Sequence, residues 1–316
     1  MLPKPAPSRA RGTGTAQRPT QRTGVRAAAL GVAALMLCAG CTIPTAAERG
    51  KNAGSSTPSV TTSRNATPLA PATITPEQRT KMRSAWNEFR KKHPGEMSVS
   101  ILPVGADQDV KPIVLGQPAS RIAGGTLRAP IALAASTFLK EDAQLVNSIV
   151  ASLNSDNAEA AKNVWEALGS GTEAAQKTMK VLRLTGDKTT RVRSTDPENT
   201  TNWSLPAQAR FTSGLACMAD AALVRDSLHA GIPDMTYGFA TDGLNLTLSG
   251  WVRVPGAENS MVARQIAIVD QGKAGFSAIA VSVKAPDGTR KSAEKLLTTL
   301  ARWLHNNKIV PAGRCP

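Results

Sequence analysis

The sequence predicts an α+β domain, in which one antiparallel sheet of about five strands lies between two layers of helices. Three observations support this prediction. Apolar residues recur at helical spacing at both ends of the folded region, two short strand-like runs follow the first helix, and apolar and polar residues alternate after residue 232. Residues 75–316 suffice for one sizeable domain, and no internal repeat is visible.

The first helix is predicted at residues 76–92. Thr75 is a favourable N-cap, Pro76 suits the first helical position, and Glu77 lies in the first turn. The helix is predicted to end near His93-Pro94-Gly95. Two short strands are predicted next, at residues 97–104 and 111–116.

Helical spacing continues through the middle of the chain, where helices are predicted at residues 130–139, 142–153, 158–168, 172–184 and 205–228. The later alternation predicts strands at residues 236–240, 244–252, 261–269 and 276–283. A closing helix at residues 292–306 presents Leu residues at core-facing spacing: Leu296, Leu297, Leu300 and Leu304. We expect the first and last helices on one face of the sheet and the remaining helices on the other.

The first 40 residues have the pattern of an export signal. Six basic residues and no acidic one precede an apolar run from residue 27 to residue 37, which is too short to span a bilayer comfortably. The run ends in Leu37-Cys38-Ala39-Gly40-Cys41, which resembles a bacterial lipobox. The resemblance implies that Cys41 carries a diacylglycerol on the extracytoplasmic face of the cell membrane. The alternatives are an ordinary secretory signal with a chance cysteine and a retained membrane helix.

The segment from Cys41 to residue 74 is rich in Ser, Thr, Ala and Pro, and it is predicted to be a flexible tether before the domain at residues 75–316. Removing residues 1–40 takes away six of the 38 basic residues and none of the 23 acidic ones, which leaves 32 basic residues and a net charge of +9. Such a charge favours anionic lipid or wall polymer, although scattered solvated side chains are the simpler interpretation. One Tyr, five Phe and no basic–aromatic motif argue against nucleic acid.

The remaining cysteines favour one disulfide. Cys38 leaves with the predicted signal and Cys41 takes the lipid, so that Cys217 and Cys315 remain in an oxidising compartment, where cysteines commonly pair. A bridge between them would tie the C-terminal tail to a helix of the domain. Two unpaired, buried thiols are the alternative.

A resemblance to a known family begins at Ser155-Asp156-Asn157, which continues as a helical run to Leu168-Gly169. The tripeptide alone is weak evidence, because Ser, Asp and Asn are common helix caps. The whole run resembles the second motif of the serine β-lactamase and penicillin-binding protein superfamily. This resemblance implies a β-lactamase-like domain over about residues 76–308, and the predicted order of elements agrees with that fold.

The family's first motif is a nucleophilic serine with a lysine three residues later, at the start of a core helix. The run Pro130-Ile131-Ala132-Leu133 sets the register, and it aligns Gly125 with the serine and Arg128 with the lysine. Glycine has no oxygen to acylate, and arginine stays protonated at working pH. The resemblance therefore implies a degenerate motif.

The third motif of the family carries a lysine on the strand that lines the cleft. Leu248-Ser249-Gly250-Trp251 resembles a variant of it in actinobacterial lipoproteins, and Val254-Pro255-Gly256 is the alternative register. Neither contains the lysine. The run from Thr201 to Phe211 resembles the same lipoproteins, while the short interval between the first two motifs implies a reduced helical subdomain. Glu198 lies in the region of the family's acidic residue, and we interpret it as a loop residue.

Other chemistries lack their residues. The three histidines lie far apart, so no metal site is expected, and the absence of phosphate-binding and dinucleotide motifs argues against a cofactor. The hypothesis that the sequence favours is a non-catalytic lipoprotein that binds a cell-wall ligand or an envelope protein. The alternatives are an active hydrolase that uses Ser155 or Thr126 as an unconventional nucleophile, and a structural module.

Overall fold

A computed structural model describes residues 72–140, 142–155, 157–229, 236–242, 245–254 and 260–316. The predicted signal, Cys41, most of the predicted tether and Asp156 lie outside the described residues. In the part of the chain that is described, no helix is both long and apolar enough to cross a membrane.

The described elements follow one another in this order: α1 (Pro76–Lys92), β1 (Glu96–Pro103), β2 (Ile113–Gly116), α2 (Arg128–Phe138), α3 (Ala143–Asn154), α4 (Ala158–Ala167), α5 (Gly171–Leu184), α6 (Pro197–Thr200), α7 (Leu205–Cys217), α8 (Ala222–His229), β3 (Leu246–Arg253), β4 (Met261–Asp270), β5 (Phe276–Lys284) and α9 (Arg290–Asn306). A short 3₁₀ turn, Gly124–Leu127, leads directly into α2.

Helix α1 has the limits predicted from the sequence. The Thr75 hydroxyl accepts a hydrogen bond from the backbone N–H of Gln78, and the Gln78 side chain accepts one from the backbone N–H of Thr75. This reciprocal capping box satisfies two backbone donors at the start of the helix, and Pro76 at the first position needs no donor.

The predicted single antiparallel sheet is confirmed. Its five strands lie in the order β2-β1-β5-β4-β3, so that the first two strands join the last three through the β1–β5 pair. The pair aligns Val99 with Val281 and Ile101 with Ile279, and these four side chains share one face. Strand β3 lies at one edge of the sheet.

Helices cover both faces of the sheet, as predicted. Helices α1 and α9 bury their apolar stripes against one face, with Met82, Trp86, Leu297, Leu300 and Leu304 in that core. The other face packs against α7 and α8, and the second core, which α2 and α3 also build, contains Leu133, Ile149, Trp203 and Phe211. Among the described residues, those of both cores lie between Ile74 and Val310.

One predicted strand is wrong. Residues 236–240 were expected to be extended, but Gly238–Asp242 form a 3₁₀ turn. Gly238 has a φ of 64°, which glycine adopts easily. The backbone donors of this turn bind side chains, where a strand would bind the backbone of its neighbour. Gly238 N–H donates to Thr298 Oγ1, and Phe239 N–H donates to Gln265 Oε1.

The helix predicted at residues 205–228 is divided in two. Met218 has extended dihedral angles, which end α7 before a 3₁₀ turn leads into α8. The guanidinium of Arg225 donates to the carbonyl oxygens of Leu215 and Met218 on either side of the end of α7.

The break lies beside a disulfide that joins Cys217, the last residue of α7, to Cys315. Their Cα atoms are 5.3 Å apart, within the range that a disulfide requires. The bond fastens the C-terminal tail, where Gly313 and Phe276 also exchange two backbone hydrogen bonds. The tail thereby lies beside the first residue of β5, the central strand of the sheet.

Candidate functional site

The candidate site lies where the Gly124–Leu127 turn meets edge strand β3. All four residues of the turn are buried. A Cβ atom added to Gly250 would lie 2.6 Å from the backbone nitrogen of Gly125 and equally close to that of Thr126. A Cβ atom on Gly125 would lie 3.3 Å from Gly250 Cα and 3.4 Å from the Ser249 carbonyl oxygen. The two backbones are therefore in direct contact, without space for a bound molecule between them.

Gly125 and Arg128, the residues aligned with the family's serine and lysine, are neighbours in the structure. The position of a Gly125 Cβ atom is 3.7 Å from Arg128 Cζ. A serine side chain at position 125 would thus point into a space bounded by the β3 backbone and a guanidinium group. Glycine fits this space because it adds no atom to it.

Arg128 forms a bidentate ion pair with Glu198. Its Nε donates to Glu198 Oε1 at 2.9 Å, and its Nη2 donates to Oε2 at 3.2 Å. A longer contact of 3.5 Å joins Nη1 to the Ser152 carbonyl oxygen. The Arg128 side chain is only 9% exposed and that of Glu198 is 24% exposed, so the pair is largely shielded from water. A paired guanidinium in this position holds its protons and cannot act as a base.

The interpretation of Glu198 as a loop residue is wrong. Glu198 lies in the single helical turn α6, which starts at Pro197 after Asp196 in a left-handed conformation (φ 45°). That turn presents the carboxylate to Arg128, 70 residues earlier in the chain. A buried guanidinium needs hydrogen-bond acceptors, and the position of Arg128 at the start of a core helix is the sequence signal that could have suggested a partner such as Glu198.

The hydroxyl groups of the alternative nucleophiles are engaged in the fold. Thr126 is fully buried; its Oγ1 donates to the Ala123 carbonyl oxygen at 2.6 Å and accepts from Gln208 Nε2 at 3.2 Å. Ser155 Oγ donates to the Ala151 carbonyl oxygen at 2.5 Å, at the C-terminal end of α3.

Asn157, two residues after Ser155, caps the helix that follows it. Its Oδ1 accepts a hydrogen bond of 3.0 Å from the backbone N–H of Ala160 in the first turn of α4. Asn157 thus satisfies a backbone donor that the helix leaves free. Asp156, between Ser155 and Asn157, lies outside the described residues.

Ser249 and Trp251 face away from Gly125, because successive side chains of a strand alternate between faces. Ser249 Oγ accepts a hydrogen bond from Gln265 Nε2 at 2.9 Å on the α9 side of the sheet. Trp251 Nε1 donates to the Tyr237 hydroxyl at 3.0 Å, and the Arg290 guanidinium lies 4.6 Å from the indole centroid. Burial raises the pKa of Tyr237. Gly250 therefore faces the turn, whereas Ser249 and Trp251 do not.

Arg264 on β4 holds the segments behind this contact, a role that the sequence did not reveal. It pairs with Gly250 across β3 and β4 and is completely buried. Its Nη1 donates to the Ser120 carbonyl oxygen at 2.7 Å and its Nη2 to that of Trp203 at 2.9 Å. Burial lowers its pKa to about 10, so the group stays charged at neutral pH. An arginine in the otherwise apolar pattern of β4 was the available signal.

A groove of about 360 Å³ lies between α4 and α6, on the outer side of the Arg128–Glu198 pair. Its walls combine apolar, aromatic and charged side chains: Arg128, Ile131, Ala158, Ala161, Lys162, Trp165, Glu166, Asp196, Pro197, Glu198 and Asn199. Among the described residues, no cluster of His, Cys, Asp or Glu could hold a metal ion.

Substitution of Gly250 tests the backbone contact. We expect Gly250→Ala to lower the free energy of unfolding by about 3 kcal/mol, because its Cβ would overlap the Gly125 and Thr126 amide groups. Gly272→Ala is the matched control, since nothing lies within 4 Å of that Cβ; its left-handed backbone alone costs about 1 kcal/mol. Urea unfolding measures both, and equal losses would contradict the contact.

A double-mutant cycle tests the ion pair. Arg128→Met and Glu198→Leu should each destabilise the fold by about 2 kcal/mol, since each removes one partner of a shielded ion pair, and the double variant should lose clearly less than the sum. The exposed pair Lys162–Glu166, at 3.3 Å, is the control, with an expected coupling of about 0.3 kcal/mol. Additive losses at Arg128 and Glu198 would show that the two side chains are not paired in solution.

The chain is similar in fold to solved structures, whereas no family model and no curated protein sequence matches it. A class A β-lactamase from Mycobacterium abscessus aligns with a TM-score of 0.52 and 14% identity, over 70% of this chain and 96% of that one. The TLA-3 extended-spectrum β-lactamase aligns with a TM-score of 0.55 and 10% identity, over 72% and 98%.

A β-lactamase from Burkholderia vietnamiensis aligns to a similar degree, with a TM-score of 0.52 and 15% identity over 71% of this chain and 96% of that one. Identities this low show the fold alone. The five-stranded antiparallel sheet between helical layers is the fold of the class A β-lactamases.

Proposed function

We propose that the protein is a membrane-anchored lipoprotein of the cell envelope whose β-lactamase-like domain binds a ligand or a partner protein and does not catalyse hydrolysis. The observation that carries the proposal is the backbone contact between Gly125 and Gly250. The predicted lipid on Cys41 supplies the location, and the predicted tether separates the domain from the membrane.

Acyl transfer by a serine hydrolase needs a nucleophile, a base that can accept its proton, and open space for the acyl group. Gly125 offers no nucleophile, and Arg128 remains protonated in its pair with Glu198. The backbone of β3 fills the space in front of Gly125. All three requirements are therefore unmet at the positions aligned with the catalytic serine and lysine.

The structure also gives little support to an unconventional nucleophile. Thr126 is fully buried and hydrogen-bonded as donor and acceptor. Ser155 uses its hydroxyl proton to satisfy a carbonyl oxygen of α3. Activation of either hydroxyl would first require loss of a hydrogen bond that the fold uses.

The groove between α4 and α6 is the best-supported place for a small ligand. Its volume of about 360 Å³ and mixed lining fit the usual properties of ligand sites, in which an apolar surface is combined with a few polar groups. Trp165 and Lys162 offer an aromatic face and a cation beside the carboxylates of Glu166 and Asp196. Because the predicted location is the cell envelope, a soluble fragment of the cell wall is the first ligand to test.

Incubation with a fluorescent penicillin tests the absence of catalysis. The chain from Thr42 onward should give no covalent adduct in its intact mass and no nitrocefin turnover above buffer, because no nucleophile is accessible. A stoichiometric adduct would overturn the proposal. Loss of that adduct in Ser155→Ala would then identify the nucleophile.

Intrinsic fluorescence tests binding in the groove. Titration with soluble peptidoglycan fragments should change the tryptophan emission of the wild-type chain, and Trp165→Phe should weaken the measured affinity on the order of tenfold, as loss of an aromatic anchor does. Trp303→Phe is the matched control, because Trp303 packs against Trp86 and Phe89 on the other side of the sheet. Equal weakening in both variants would place the ligand elsewhere, and unchanged emission of wild type would exclude these fragments.

A further inference from the structure

The charges of this protein are segregated between its two helical layers. Helices α1 and α9 contain ten basic and three acidic residues, which gives +7, whereas residues 141–229 contain nine basic and eleven acidic residues, which gives −2. Residues 41–316 have a net charge of +9, and most of this charge therefore lies in two helices. The sequence alone suggested scattered charges; the fold shows a concentration on one layer.

Six of the ten cations in α1 and α9 are exposed and take part in none of the salt bridges found among the described residues: Arg83, Arg90, Lys92, Lys291, Lys295 and Arg302. Three others form salt bridges with acidic residues of the same helix: Lys81 with Glu77, Lys91 with Glu88, and Arg290 with Glu294. We call the six exposed cations outside these salt bridges the basic layer.

The cations of α9 lie on one stripe of the helix. Lys291, Lys295 and Arg302 are spaced by four and seven residues, which places them on one side of an α-helix. The opposite side, with Leu297 and Leu304, is buried against the sheet. The stripe consequently points away from the domain.

Helices α1 and α9 are neighbours, so that their cations belong to one surface. The rings of Trp86 and Trp303 lie 5.9 Å apart and those of Phe89 and Trp303 4.8 Å apart. Both helices turn their apolar residues inward, and the exposed large apolar residues of the described chain (Val114, Leu184 and Phe276) lie elsewhere. An attraction of this surface to a partner would therefore be electrostatic, without insertion of apolar side chains.

Helix α1 is the first described helix after the predicted tether. As a flexible chain, the predicted tether of residues 42–74 would span about 30 Å on average. Cations must come within about 8 Å of an anionic surface to be attracted at physiological salt, a distance that such a tether permits.

We propose that the basic layer docks the domain onto anionic phospholipid headgroups of the membrane, with α1 and α9 toward the bilayer. The docking rests on the envelope location given under the proposed function, but it does not depend on lipidation of Cys41. In this orientation the helices α4 and α6, which lie on the other side of the sheet and form the ligand groove, face away from the membrane.

Co-sedimentation with vesicles tests the docking. The unlipidated chain from Thr42 onward should bind vesicles of phosphatidylcholine containing a quarter phosphatidylglycerol at low salt. Binding to pure phosphatidylcholine should be absent, and physiological salt should weaken binding because the attraction is screened. Lys291→Gln/Lys295→Gln/Arg302→Gln should reduce the partition coefficient on the order of tenfold or more, as expected for removal of three surface cations.

The matched control is Arg183→Gln/Lys188→Gln/Arg193→Gln, which removes the same charge from exposed positions of the other layer. It should bind nearly as wild type. Equal losses in both triple variants would overturn the docking in favour of a net-charge effect, and no binding to anionic vesicles would also overturn it. Intact mass of the chain isolated from membranes tests lipidation of Cys41 separately, so the two proposals can fail independently.

Discussion

The arrangement of this domain depends on the contact between two glycines, Gly125 in the turn before α2 and Gly250 in the edge strand β3. Because neither residue has a Cβ atom, the turn approaches the strand until backbone nitrogen and Cα atoms touch. A Cβ atom on Gly250 would lie 2.6 Å from the Gly125 and Thr126 nitrogens and would force the two elements apart, whereas one on Gly125 would make a tight contact of 3.3 Å with Gly250 Cα. The Arg128–Glu198 pair and the buried Arg264 hold the surrounding segments in place. No space for a bound molecule therefore remains between the turn and β3 at this point.

Much of the fold was predictable, because its signals are local. Thr75 and Pro76 define the start of α1 through their capping chemistry, and alternating apolar residues identify the strands of the single sheet. The strand predicted at residues 236–240 is wrong because side chains from distant parts of the chain form its hydrogen bonds. Gln265 and Thr298 accept hydrogen bonds from the backbone donors of this turn, and the sequence near the turn does not indicate these partners.

The candidate site was predictable in position but not in its contacts. The motif alignment brought Gly125, Arg128 and Gly250 into consideration, and the structure places these residues together. The sequence could not show that Ser249 lies on the opposite face of β3. Alternation predicts that neighbouring side chains lie on opposite faces, but it does not predict which face contacts the turn. The sequence also could not predict the ion pair between Arg128 and Glu198, since 70 residues separate them and only the folded chain brings them into contact.

A high-resolution crystal structure, with a β-lactam added to the crystals, tests the contact between Gly125 and Gly250 most directly. We expect van der Waals contact between the Gly125–Thr126 peptide and Gly250, with no ordered water and no ligand density between them. A gap wide enough for a water molecule, or a ligand bound between the turn and β3, would contradict it.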